Sequence, residues 1–275
     1  MKSYRSWATI LVAGCLSMGC AAGPTGVHAD GALRLTSFAA TPLTDDPAAF
    51  YQDSIPLGLY AGTNTPPPAH DAAGIASGLA VQPINGKVVL VSLGFSNPAQ
   101  EYGTWRKAYP KAPGFPNARL NGNVWIIQCA TGGATVEAWD QATDQKYDRC
   151  RDNELAPTGL TEADVQVVWA KLHHANPTDW HVLATACGSV IDALRARYPN
   201  LKQVFLSSRI YGGFATVTSP EPFAYENGFG IRTCILNNAT ATFVGWGPYL
   251  WAGETPRADG LIWTLPDFEV DGLHP

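Results

Sequence analysis

Hydrophobic residues along this chain gather in short continuous runs that end at glycine, asparagine or other polar turn residues. The clearest runs are residues 87–93 (KVVLVSL), 123–128 (NVWIIQ), 165–170 (VQVVWA) and 203–207 (QVFLS). Runs of this length, apolar at successive positions, are typical of strands buried on both faces of a parallel sheet. We therefore predict four parallel β-strands.

Helical spacing replaces this pattern between the third and fourth runs. Apolar residues recur at helical intervals from Leu183 to Leu194, and Pro199 follows, which predicts a helix over 182–198. A strand, a long helix and another strand form a βαβ unit. For residues 86–275 we predict an α/β fold, a three-layer α/β/α sandwich with a parallel, doubly wound (flavodoxin-like) sheet.

The residues before this domain differ in composition. Residues 30–85 are rich in proline, alanine, glycine and threonine, which indicates an irregular lead-in with one short helix over 69–79. Residues 1–29 combine a basic start with an apolar run too short to span a bilayer, which is typical of an export leader. Two processing routes stay open: lipidation at Cys15 in a lipobox-like LVAGC, or cleavage after Ala29. Either route predicts an exported protein, lipid-anchored to a bacterial cell envelope or secreted.

Export changes what the cysteines imply. The cysteines outside the leader are Cys129, Cys150, Cys187 and Cys234. An even number in an oxidising compartment predicts two disulfides, and the pairs 129–150 and 187–234 close the shorter loops. Four buried free thiols are the alternative. No CxxC spacing occurs, so the sequence does not indicate a zinc site.

Charge narrows the range of partners. The net charge is −5, the pI is about 5.6 and no basic cluster occurs, which argues against a nucleic-acid-binding surface. The chain of 275 residues, with 46% hydrophobic residues, is long enough to bury a sizeable core.

Polar clusters follow the predicted strands. Ser96 lies in GFSN after the first strand, Gly132 and Gly133 lie in CATGGAT after the second, and Asn176 lies in KLHHANP after the third. In open α/β sheets ligands bind beyond the carboxyl ends of the strands, so these residues mark a candidate site. Taken alone, Ser96 is either a nucleophile or a turn serine, and the paired glycines either expose N–H groups to a substrate oxygen or form a plain turn.

The last residues add a second half to this site. Asp271 and His274 lie three positions apart in DGLHP, a spacing that lets a carboxylate hydrogen-bond an imidazole within one turn. The order serine, aspartate, histidine along the chain suits an α/β hydrolase triad.

Taken together, GFSN, ATGGAT, HANP and DGLHP resemble the four blocks of the SGNH (GDSL-type) hydrolase superfamily, in the same order over residues 87–275. The resemblance implies a serine esterase that needs no cofactor and no metal. It implies Ser96 as the nucleophile, His274 as the base that deprotonates it, and Asp271 as the residue that orients the base.

The same resemblance implies the composition of the oxyanion hole. Its donors would be the backbone N–H groups of Ser96 and Gly133 and the side-chain amide of Asn176, with Gly132 as the alternative glycine.

The sequence departs from the family pattern at three points. Phe95 stands where the family usually has aspartate, and the third block keeps only its asparagine, Asn176. The family continues with a helix after its histidine, whereas His274 is followed here by one residue. Either the sequence is a fragment of a longer chain, or His274 lies on a frayed terminus, where the base would be held loosely.

Residues near the predicted site indicate a substrate class. The predicted substrate-binding residues are Asn97, Arg209, Trp246 and Tyr249. Aromatic faces suit sugar rings as well as acyl groups, so the predicted substrate is a small-molecule or carbohydrate ester, although core packing explains the aromatic residues equally well. The competing hypotheses are a non-catalytic exported protein that binds glycans or another ligand, and a metal-dependent hydrolase using His173 and His174, which we otherwise interpret as surface or loop histidines.

Overall fold

The structure is a computed structural model that describes residues 39–108, 122–175, 179–215, 220–238 and 241–275, without the side chains of 104–108. The predicted leader, with Cys15 and Ala29, lies outside the described residues. All described residues belong to one compact unit, Phe38–Pro275.

The lead-in contains more regular structure than its composition predicts. Strand β1 (Phe50–Tyr51) pairs antiparallel with β2 (Ile55–Pro56), and helix α1 spans Pro68–Leu79, close to the predicted 69–79. Leu43 and Leu57 are buried in a cluster of largely aromatic residues. The lead-in therefore contributes to the core of the same unit as the sheet.

The main sheet has five strands, of which four are predicted. They are β3 (Val88–Gly94), β4 (Val124–Gln128), β5 (Val165–Lys171), β6 (Gln203–Ser207) and β7 (Phe243–Trp246). The fifth, β7, is short and contains Gly245, so its apolar run is too brief to stand out. The prediction of strands over the first four runs is confirmed.

Helices separate these strands along the chain. They are α2 (Ser96–Ala108), α3 (Gln145–Arg149), α4 (Trp180–Arg197) and α5 (Phe223–Asn237). Helix α3 continues into a π-helical turn, Cys150–Leu155, and short 3₁₀ turns occur at Val136–Ala138, Ala156–Thr158, Glu162–Asp164 and Leu265–Asp267. No helix within the described ranges is long and apolar enough to cross a membrane.

The order of the main sheet is β4-β3-β5-β6-β7, and every neighbouring pair is parallel. The chain leaves β3 for the edge strand β4 and then crosses back to β5, so the winding direction reverses between β3 and β5. The carboxyl ends of these two strands lie side by side, since Gly94 pairs with Lys171. In doubly wound sheets this reversal opens a crevice for ligands.

Both faces of the sheet are covered. Val89 and Val91 of β3 pack in the cluster that includes Leu183 and Val190 of α4. Leu90, between them in sequence, packs on the other face in the cluster with Tyr102 of α2. Because successive strand residues point to opposite faces, the continuous apolar run of β3 serves two layers at once. The predicted three-layer α/β/α fold with a parallel, doubly wound sheet is confirmed.

Both predicted disulfides are present. Cys129 bonds to Cys150, and Cys187 bonds to Cys234, which joins α4 to α5. The alternative of four free thiols is therefore wrong. Disulfides of this kind are consistent with an extracellular protein.

Candidate functional site

A sharp turn after β3 carries the first site residue. Strand β3 ends at Gly94 with φ of +124°, and a Cβ at this position would lie 2.1 Å from the carbonyl oxygen of Lys171. Only glycine fits so close to the neighbouring strand. Helix α2 begins two residues later, at Ser96, so the turn places Ser96 at the carboxyl edge of the sheet, at its reversal point.

Ser96, His274 and Asp271 are joined by two hydrogen bonds. Ser96 Oγ lies 2.7 Å from His274 Nε2, and His274 Nδ1 lies 2.5 Å from Asp271 Oδ2. The structure therefore brings together three of the predicted site residues, although Ser96 and His274 are 178 positions apart in sequence.

The turn from Asp271 to His274 is held by its own backbone. The N–H groups of Leu273 and His274 donate to Asp271 Oδ1 at 2.9 and 3.1 Å, and the N–H of Glu269 donates to the carbonyl of His274 at 2.7 Å. Asn97 Nδ2 donates to the carbonyl of Leu273 at 2.9 Å, which ties this turn to helix α2. The expectation of a loosely held base is therefore wrong: His274 is bonded at both ring nitrogens and at both backbone groups.

Gly272 completes this turn, and sequence reasoning missed its role. Its φ is +63°, and a Cβ would lie 1.8 Å from the carbonyl oxygen of Phe214. The signal in the sequence is the glycine itself, since glycine adopts a positive φ without the steric cost that other residues have.

Hydrogen bonds keep Asp271 ionised. The N–H of Leu273, together with the ring and the N–H of His274, lowers the pKa of the Asp271 carboxyl below its usual value. An ionised carboxylate accepts a hydrogen bond from a protonated Nδ1, and this assignment leaves Nε2 as the acceptor that faces the Ser96 hydroxyl. The arrangement can therefore take a proton from Ser96 and stabilise the resulting imidazolium.

The predicted oxyanion-hole residues are only partly described. Gly133 is exposed, has φ of +72° and lies in the loop after β4, next to exposed Gly132. The N–H of Thr131 donates to the carbonyl of Gly94 at 2.9 Å, which ties this loop to the turn before Ser96. Asn176 lies outside the described residues.

Phe95 is part of a buried cluster under the nucleophile turn. The centre of its ring lies 4.2 Å from the centre of the His173 ring and 4.9 Å from the guanidinium carbon of Arg209. Burial, with the positive charge of Arg209, lowers the pKa of His173 to about 3, so His173 is neutral at neutral pH. His173 lies in the loop after β5, as predicted, but it is half-buried against Phe95 and is not a surface side chain.

His174 is buried, and it has a carboxylate partner. His174 Nδ1 lies 2.6 Å from Glu137 Oε1, which belongs to the turn after β4. Among the described residues no group of three or more His, Cys, Asp or Glu side chains could hold a metal ion.

The four predicted substrate-binding residues occupy different surroundings. Asn97 is buried and supports the His274 turn. Tyr249 is 7% exposed, and its hydroxyl accepts a hydrogen bond from the N–H of Leu43. The indole N–H of Trp246 donates to the carbonyl of Leu59. Tyr249 therefore does not offer a face for a sugar ring, because the lead-in covers it. Arg209 is buried against the Phe95 ring.

Comparison by sequence finds no protein-family model and no curated protein that matches this chain. Among solved structures, a carbohydrate esterase family 3 protein from Talaromyces cellulolyticus aligns at 18% identity over 68% of this chain and 88% of its own, with a TM-score of 0.36. A protein from Arabidopsis thaliana aligns at 17% identity over 54% of this chain and 56% of its own, with a TM-score of 0.32. TM-scores this low carry no functional argument, so the chemistry rests on the site itself.

Proposed function

We propose that this protein is a serine esterase with Ser96 as its nucleophile. The observation that carries the proposal is the unbroken line of hydrogen bonds from Ser96 Oγ through the His274 ring to Asp271. A serine hydroxyl is a weak nucleophile until a base accepts its proton, and this line supplies the base and the group that orients it. Its position at the reversal point of a doubly wound sheet supports the same conclusion.

In the first half of the proposed reaction, Ser96 Oγ attacks the carbonyl carbon of the ester while its proton passes to His274 Nε2. The negative charge of Asp271 stabilises the imidazolium that forms. The tetrahedral intermediate then collapses, the bond to the alcohol oxygen breaks, and the alcohol leaves with the proton from His274. The acyl group stays on Ser96.

In the second half, water replaces the alcohol. His274 accepts a proton from the water molecule while the water oxygen attacks the acyl carbon. The bond between the acyl carbon and Ser96 Oγ then breaks, and His274 returns the proton to Ser96 Oγ. The products are a carboxylic acid and the free serine, so the reaction balances with one water molecule.

Negative charge on the carbonyl oxygen needs donors in both halves. We infer that the N–H of Ser96 is one of them, because the first N–H groups of a helix lack intrahelical partners and the helix dipole favours an anion there. The N–H of Gly133 and the amide of Asn176 complete the proposed oxyanion hole, as the resemblance to the SGNH superfamily implies.

The substrate is proposed as an acyl ester. A carbohydrate as its alcohol part loses support, since the rings that suggested it include the buried Tyr249. Export fits the two disulfides, and lipidation at Cys15 or cleavage after Ala29 remains the proposed route.

Hydrolysis of p-nitrophenyl acetate by purified protein tests the proposal. Ser96→Ala should lower kcat by about 10⁶-fold, to the level left by binding and oxyanion stabilisation alone. Ser54→Ala is the matched control, because this exposed hydroxyl only donates to the carbonyl of Gln52. The proposal fails if the Ser96→Ala variant is as active as the control. It also fails if the wild-type protein hydrolyses no ester, and binding of glycans would then favour the non-catalytic alternative.

A further inference from the structure

A buried arginine lies beside the turn that carries Ser96. Arg209 follows β6 by two residues and is 2% exposed. Its guanidinium carbon lies 4.9 Å from the centre of the Phe95 ring, and Phe95 directly precedes Ser96. A fixed positive charge therefore lies against the residue that precedes the proposed nucleophile.

No carboxylate among the described residues forms an ion pair with this charge. The Arg209 guanidinium makes no ion pair and no hydrogen bond with them, and its Nε is buried without a partner. Only the backbone N–H of Arg209 is bonded, to Asn227 Oδ1. An unpaired buried ion is costly, so proteins normally pair such groups. The Phe95 ring face gives partial compensation and no hydrogen bond.

Two carboxylates, those of Glu221 and Glu101, act electrostatically on Arg209, and each is already bonded to other groups. Glu221 accepts hydrogen bonds at 2.8 Å from two backbone N–H groups and from the indole N–H of Trp251. Glu101 lies 2.5 Å from Lys171 Nζ. Burial lowers the pKa of Arg209 to about 10, while Glu221 and Glu101 act in the opposite direction, so the group stays charged at neutral pH.

Helix α2 adds to the positive potential at the same place. It begins at Ser96, runs for 13 residues and has no acidic residue in its first turn. The amino end of a helix carries a partial positive charge, which an acidic residue in the first turn usually offsets. A cation beside this end is unfavourable unless an anion joins them. The net charge of the whole chain is −5, so this positive spot is a local exception.

Building on the proposed esterase function, we propose that Arg209 binds a carboxylate of the substrate, so that the preferred substrates are esters of acidic molecules. The planar fork of a guanidinium matches a carboxylate with two parallel hydrogen bonds. The carboxylate belongs to the acyl part or to the alcohol part of the ester, and the experiment separates the two.

The experiment compares kcat/KM for two matched pairs of esters. Mono-p-nitrophenyl succinate carries its carboxylate on the acyl side, and p-nitrophenyl methyl succinate is its neutral counterpart. In the second pair, 4-acetoxybenzoate carries its carboxylate on the alcohol side, against neutral 4-acetoxybenzamide. We expect kcat/KM of the wild-type protein to be about tenfold or more higher for the acidic ester in one pair. One charge-assisted pair of hydrogen bonds gives a difference of this size.

Variants of Arg209 assign the preference to this residue. Arg209→Gln should bring the ratio of kcat/KM within the preferred pair close to one, and Arg209→Lys should keep part of the preference, since the charge remains and the fork is lost. Arg195→Gln is the control, because Arg195 is an exposed residue of α4 that pairs with Asp192. It should leave both ratios unchanged.

Several results overturn the inference. Equal kcat/KM within both pairs for the wild-type protein does so without any variant, and so does a preference that survives in Arg209→Gln. If Arg209→Gln does not fold, as judged by circular dichroism, competition by succinate in wild-type hydrolysis of p-nitrophenyl acetate decides: inhibition at millimolar concentration supports the inference, and its absence contradicts it. Esterase activity without an acidic preference leaves the proposed function intact, so the two failures are distinguishable.

Discussion

Two histidine–carboxylate pairs lie beyond the carboxyl ends of the sheet, and they differ at one nitrogen. In each pair Nδ1 faces a carboxylate oxygen, at 2.5 Å between His274 and Asp271 and at 2.6 Å between His174 and Glu137. The Nε2 of His274 lies 2.7 Å from Ser96 Oγ. The Nε2 of His174 is buried and has no hydrogen-bond partner among the described residues.

This difference separates a base from a structural histidine. A carboxylate on Nδ1 fixes the tautomer and the ring in both pairs, so that feature alone does not identify chemistry. Only His274 presents its second nitrogen to a hydroxyl. We therefore expect substitutions in the two pairs to have opposite profiles: loss of activity in the first, and loss of stability in the second.

The largest effect should come from removing each imidazole. His274→Ala should lower kcat by about 10⁶-fold, because the serine then has no base. His174→Ala should keep activity within a small factor and lower the midpoint of thermal unfolding, since it leaves a hole and a carboxylate without its partner. Steady-state kinetics and thermal unfolding of both variants test this. Equal losses of activity would remove the distinction between the pairs.

The next largest effect should come from the carboxylates. Asp271→Asn should lower kcat by about 10⁴-fold, because an amide does not hold the reactive tautomer or stabilise the imidazolium. Glu137→Gln, which makes the same chemical change in the other pair, should leave kcat nearly unchanged. A comparison of kcat at neutral pH is sufficient, and an active Asp271→Asn would contradict the assigned role.

Some contacts of this site can be predicted from the sequence and others cannot. The difference lies in how far apart the contacting residues are along the chain. Asp271 and His274 lie within one turn, so their spacing reveals the pair. His174 and Glu137 lie 37 positions apart, and no local pattern joins them. The meeting of Ser96 with His274 across 178 positions is reached only through the order of the strands and the resemblance to a known family.

The strands of the main sheet also differ in how well the sequence predicts them. Strands with continuous apolar runs, such as β3 and β5, are recognisable because burial on both faces demands them. Strand β7 lies at the edge of the sheet and is interrupted by Gly245, so its pattern is weak. The burial of Tyr249 depends on contact with Leu43 of the lead-in, 206 positions away, which a local pattern does not report.

A smaller effect should come from Gly272, which shapes only the first of the two pairs. Gly272→Ala forces a Cβ to within 1.8 Å of the Phe214 carbonyl and should shift His274, lowering kcat on the order of 10²-fold. Gly260→Ala is the matched control, with φ of +89° and no atom within 4 Å of its added Cβ. Gly260→Ala should strain a backbone with positive φ in the same way but leave kcat unchanged. Equal kcat for the two variants would show that the Asp271 turn tolerates displacement.

The smallest effect should be a change in acid stability at the second pair. Although burial opposes it, hydrogen bonds from Thr135 and His174 lower the pKa of Glu137 to about 2. A carboxyl with a depressed folded-state pKa adds stability above its unfolded pKa, and this stability is lost as pH falls towards 2. Glu137 is about half exposed, so the contribution should be under about 1 kcal/mol.

Urea unfolding at pH 6 and pH 3 measures this contribution. Between these values Glu137→Gln should lose less free energy of unfolding than the wild-type protein does. An identical loss in both proteins would show that the contact between Glu137 and His174 does not stabilise the fold.

The most direct test of the central claim is covalent labelling with a fluorophosphonate, which reacts with a serine activated by a base. Intact mass and peptide mapping should show one adduct on wild-type protein, at Ser96, with His174→Ala labelled equally well and His274→Ala labelled far more slowly. An unlabelled wild-type protein, an adduct at another residue, or equal labelling of His274→Ala would contradict the account.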